Sequence, residues 1–93
     1  MTREEILNLT ENDFQQRKGK YPKSNIPDDI IVREQDNNFV ITASFKNTTE
    51  SNAKYWLNNY IKKFDLNIVD ESKAWQDGDY QDDWVIASIT VSI

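Results

Sequence analysis

Twice along the chain, apolar and polar residues alternate with the period of a β-strand. Phe39, Ile41, Ala43 and Phe45 alternate with Val40, Thr42, Ser44 and Lys46, and Val85, Ala87, Ile89, Val91 and Ile93 with Trp84, Ile86, Ser88, Thr90 and Ser92. Successive side chains on a strand point to opposite faces, so each stretch has one apolar face that must be covered. The cover is written between them. Ala53, Trp56, Leu57, Tyr60, Ile61 and Phe64 fall at i, i+3, i+4, i+7, i+8 and i+11, one stripe of a helix that Asn47, Thr48 or Thr49 can cap. Asn52, Lys54, Asn58, Asn59, Lys62 and Lys63 occupy its polar side.

The remaining segments are read around this frame. Ile30, Ile31, Val32 and Arg33 form a β-branched run, and Gln35-Asp36-Asn37-Asn38 turns it into the first alternating strand as a hairpin. Leu66-Asn67-Ile68-Val69 reads as a third strand, continuing irregularly through Lys73, Ala74 and Trp75. Residues 76–83, rich in aspartate around Gly78, read as a loop. At the N-terminus Thr2 and Glu5 make a capping box for a short helix with Ile6, Leu7 and Leu9 on its apolar side. Thr10 and Asp13 suggest a second start, with Leu9 stapled on Phe14, so that the helix either restarts or kinks near Thr10, and Gly19 suggests a left-handed end before a loop marked by Pro22 and Pro27. The expectation is one α+β domain over residues 1–93, ordered αββαββ, with a mostly antiparallel four-stranded sheet and the Trp56 helix on one face. The strand order is open.

Composition removes several kinds of chemistry. The chain has neither Cys nor His, which excludes disulfides, thiolate nucleophiles, Ser–His pairs and the usual zinc ligands. Its two glycines, Gly19 and Gly78, cannot write a phosphate-binding loop. The acid pairs Glu4-Glu5, Asp28-Asp29, Asp70-Glu71 and Asp82-Asp83 are sequence neighbours, which on a strand point to opposite faces. A non-enzymatic protein without a cofactor is expected. The polar N-terminus and the lack of a long apolar run lead to the expectation of a soluble, cytoplasmic protein without a membrane segment.

Charge is the suggestive feature. Of the net −5, the whole excess arises after residue 69, where Asp70, Glu71, Asp77, Asp79, Asp82 and Asp83 face a single Lys73. With Trp75, Tyr80 and Trp84 these acids make a candidate partner-binding patch, able to meet a basic groove or to stand in for the phosphates of a nucleic acid. Asp77, Asp79 and Asp82 also offer oxygen ligands, but the spacing of a calcium loop, with its distal Glu, is missing, so no metal is expected. Arg17, Lys18, Lys20, Tyr21 and Lys23 form a basic run that provides the alternative of direct nucleic-acid binding, against which the acidic pI of about 4.6 weighs.

In size, acidity and lack of catalytic residue types the chain resembles the small inhibitors encoded by bacteriophages and mobile elements, anti-restriction and anti-CRISPR proteins among them. No motif carries that likeness. The expected partner is a basic, nucleic-acid-binding protein, with a basic toxin as the alternative, in which case the chain would be an immunity protein or antitoxin. The chain itself is expected to be a monomer or homodimer.

Overall fold

The structure, a computed structural model, describes residues 1–20, 26–77 and 84–93. Helix α1 (Arg3–Leu7) leads into a π-helical turn (Thr10–Phe14), α2 (Gln15–Arg17) and a 3₁₀ turn (Lys18–Lys20). Strands β1 (Asp29–Gln35) and β2 (Asn38–Lys46), helix α3 (Glu50–Ile61), and strands β3 (Asn67–Asp77) and β4 (Trp84–Ser92) complete the chain. The α+β arrangement is the one expected, and the strands form one antiparallel sheet in the order β1-β2-β4-β3. Helix α3 carries the chain from β2 past β4 to the far edge, which makes β1 and β3 the edge strands.

Local chemistry accounts for the boundaries. Asp36 and Asn37 both take positive φ, 50° and 67°, the geometry of a two-residue turn matched to the strand twist. Asp and Asn reach that region more readily than other side chains, which is why the hairpin closes without glycine. Thr49 caps α3 by accepting from the Asn52 amide, and Asn47 bends the preceding link at φ 57°. The capping box at Thr2 and Glu5 forms in both directions.

Three expectations are corrected. Thr10 and Asp13 do not cap a new helix. The Thr10 hydroxyl donates to the Ile30 carbonyl on β1, while Asp13 accepts from the Tyr60 hydroxyl at 2.5 Å and pairs with Arg17 at 2.8 Å. Both side chains are drawn into tertiary contacts, and of the two alternatives at Thr10 the helix does not restart but is interrupted by a π turn. Gly19 lies within the 3₁₀ turn and does not supply a left-handed end. Finally, Gln76 and Asp77 belong to β3, because their neighbours across the hairpin, Val85 and Trp84, hold them in the ladder. Pro22 and most of the acidic loop lie outside the described residues.

Among the described residues one face of the sheet is closed and the other open. Phe39, Ile41, Ala43 and Phe45 of β2 and Val85, Ala87, Ile89 and Val91 of β4 are buried against Ala53, Leu57, Tyr60 and Ile61 of α3. The N-terminal segment completes the cover over β1: Ile6, Leu9 and Phe14 join the same core, and Phe14 meets Trp56 and Tyr60 edge-to-face at 6.2 and 6.3 Å. Trp56 stacks on Tyr60 at 5.0 Å, so Trp56 belongs to the closed side.

Arg3 ties α1 to β1 through two hydrogen bonds to Glu34, at 2.8 and 2.9 Å. The hydrogen bond from Arg3, reinforced by its charge, holds the Glu34 carboxyl below its ordinary value of 4.5, and the Thr2 amide followed by its hydroxyl does the same for Glu5. A carboxyl lowered in the folded state stabilises it above the unfolded value and loses that contribution as pH falls through the folded one. The protection of the α1 amides, taken relative to their intrinsic exchange rates, is therefore expected to fall as pH drops below about 4.5, ahead of the central strands, and Arg3→Ala should remove the Glu34 share.

Candidate acidic and aromatic site on the open sheet face

Register determines what the uncovered face presents. Pairing places Ile31 opposite Thr42, Arg33 opposite Val40, Lys46 opposite Trp84, Ser44 opposite Ile86 and Thr42 opposite Ser88. On the β3 side Asp77 faces Trp84, Trp75 faces Ile86 and Lys73 faces Ser88. Trp75 and Trp84 thus share a face one diagonal step apart, within the reach of large side chains. Trp75 is 43% exposed and Trp84 half-buried. The Lys46 ammonium lies 4.9 Å from the centre of the Trp84 ring, a cation–π contact at the rim.

Farther along the face the floor is small and hydroxyl-rich. Thr42 and Ser88 meet at 3.5 Å, and a shallow trough of about 240 Å³ runs between Val40, Asp70, Glu71, Lys73, Trp75, Ser88 and Thr90. The described residues of this face carry Asp29, Asp70, Glu71 and Asp77 against Arg33, Lys46 and Lys73, so the sheet surface itself is only slightly acidic. Three further acids, Asp79, Asp82 and Asp83, lie between β3 and β4 in sequence.

The sequence-derived patch divides accordingly. Trp75, Asp77 and Trp84 come together at one end of the β3–β4 pair. Asp79, Tyr80, Asp82 and Asp83 belong to the connection between those two strands and lie outside the described residues. Asp70 and Glu71 are exposed and sit where β3 is bulged, about 20 Å from Asp77 at the usual strand rise, but they line the same trough as Trp75. There Glu71 borders a separate cleft of about 420 Å³ beside Ile61, Lys62, Phe64, Leu66 and Ile68.

The alternative basic run is partly engaged within the fold. Arg17 pairs with Asp13, and the Lys18 ammonium donates to the Asp28 carbonyl at 2.9 Å. Lys20 is exposed, while Tyr21 and Lys23 lie outside the described residues. Among the described residues no group of three or more acids is placed to hold a metal ion, and no helix is long and apolar enough to cross a membrane.

Residue patterns alone did not single out Lys46, Lys73 or Ile86 as parts of this surface. The alternation assigned their faces, but only the adjacency of β2 and β4 brings Lys46 to Trp84. The adjacency of β3 and β4 likewise brings Ile86 to Trp75. Comparison with protein-family models, with curated proteins and with solved structures finds no match to this chain.

Proposed function

We propose that the chain is a non-enzymatic binding protein that docks the tryptophan-bearing end of its open sheet face on a basic partner, of the kind that ordinarily grips nucleic acid. The observation that carries this reading is the co-location of exposed Trp75, half-buried Trp84 and Asp77 at the root of the segment holding three more acids. Aromatic rings supply desolvated contact area, and the clustered carboxylates steer a cationic groove toward it. Such binding blocks the groove, which makes inhibition the natural consequence. A basic enzyme acting on nucleic acid and a basic toxin present the same chemistry, and the identity of the captured protein distinguishes them.

The test is retention of proteins from a lysate of the source cell on the immobilised chain. A basic protein should be retained at low salt and released as salt rises. Converting Asp77, Asp79, Asp82 and Asp83 together to Asn should weaken that protein's binding about tenfold or more and flatten the salt dependence. Equal retention by the quadruple variant would remove the acidic segment from the account.

A further inference from the structure

We propose that the outer edge of β3 between Lys73 and Asp77 pairs antiparallel with the same segment of a second copy, with Trp75 on the two-fold axis. The segment is uninterrupted: its ladder to β4 is regular from Lys73 to Asp77, whereas both register shifts fall earlier, between Ile68 and Lys73. Bulges bend a strand and break its pairing, so they end the available edge on one side and leave the five-residue stretch on the other.

That stretch is complementary to itself. Lys73, Trp75 and Asp77 share the open face. An antiparallel two-fold through Trp75 sets Lys73 opposite Asp77 of the second copy, Asp77 opposite its Lys73, and the two indoles against each other. Both charge pairs are opposite in sign, and an aromatic pair fills the centre, the combination that favours cross-strand neighbours. Ala74 and Gln76 exchange places on the other face without adding charge. The two open faces would then merge into one eight-stranded sheet carrying both tryptophan sites.

The other edge is guarded. On β1 the Thr10 hydroxyl donates to the Ile30 carbonyl, Lys18 donates to the carbonyl of Asp28 just before the strand, and Arg3 clasps Glu34. Among the described residues no comparable side-chain contact covers Lys73–Asp77. One open edge and one guarded edge give a closed two-fold dimer rather than a filament. This inference does not rest on the partner proposed above, and it is tested on the purified chain alone.

Sedimentation should show the chain dimerising as its concentration rises. Lys73→Asp and Asp77→Lys each turn both cross-strand pairs into like charges and should weaken self-association about tenfold or more. An equimolar mixture of the two variants restores both opposite pairs and should dimerise like the parent chain. Because the chain has no cysteine, Trp75→Cys adds an independent reading that tolerates instability of the charge variants. Residues directly opposite on paired strands lie within disulfide distance, so this variant should oxidise to a covalent dimer far faster than Lys73→Cys, whose copies do not face each other. A chain that stays monomeric at every concentration would overturn the proposal. So would assemblies larger than a dimer, a mixture no more associated than its components, or equal cross-linking at positions 73 and 75.

Discussion

Replacing Phe14 by alanine is expected to cost about 3–5 kcal/mol, a large part of the stability available to a domain of this size. Phe14 has no exposed surface and lies edge-on to both Trp56 and Tyr60. Its loss removes the transfer free energy of a buried ring and leaves a cavity between the π turn and α3. The hydrogen bond from Tyr60 to Asp13 also links those two elements. For a domain of 60 to 100 residues each kcal/mol moves the melting temperature by roughly 4–8 °C, so thermal unfolding should fall by well over ten degrees. Gln15→Ala, on the exposed side of the neighbouring turn, should stay within about 0.5 kcal/mol. A Phe14→Ala melt unchanged within a few degrees would mean that the N-terminal segment is not part of the core.

Trp75→Ala is expected to do the opposite: leave the fold nearly as stable and weaken partner binding by about thirtyfold or more. Central interface aromatics commonly cost 2 kcal/mol or more on truncation, which is the source of that factor. Trp75 faces Ile86 on the uncovered side and is 43% exposed, so truncation opens no interior cavity. The check is a paired measurement of melting temperature and affinity. A change in stability with affinity intact would reassign Trp75 to a structural role. In the same assay Lys46→Ala is the milder companion, because an exposed cation–π contact is worth only about 0.5–1 kcal/mol.

How far the fold can be read from residues alone depends on whether each element buries a face. β2, β4 and α3 do, and their apolar periods of two and 3.6 are plain in Phe39 to Phe45, Val85 to Val91 and Ala53 to Ile61. β3 buries almost nothing. Ser72 and Ala74 alone reach even half burial along its eleven residues, and two bulges break what alternation remains. Its length therefore could not be read from a hydrophobic pattern, and Asp77 counted against a strand by propensity although pairing with Trp84 holds it there. The N-terminal segment shows the converse. Thr10 and Asp13 carry a sound local capping signal that contacts twenty and forty-seven residues away override.

The candidate site divides along similar lines. Clustering of Trp75, Asp77 and Trp84 was legible because they flank one short connection, and any hairpin brings its two ends together. The distance of Asp70 and Glu71 from Asp77, at the far end of a trough that Trp75 shares with them, was not, since adjacency in sequence says nothing about distance along an extended strand. Recruitment of Lys46 required the β2–β4 pairing, a non-local fact that no window of residues contains.

Three tryptophans in three settings provide the most direct test of where the partner sits. Trp56 is stacked in the aromatic cluster of the closed side, Trp84 is half-buried beneath Lys46, and Trp75 is exposed. Each indole N–H gives its own nuclear magnetic resonance signal, to be followed while the captured partner is added. The account predicts that the Trp75 and Trp84 signals move together with increasing partner while that of Trp56 stays in place. Movement of Trp56, with Trp75 and Trp84 stationary, would place the contact on the helical side and contradict it.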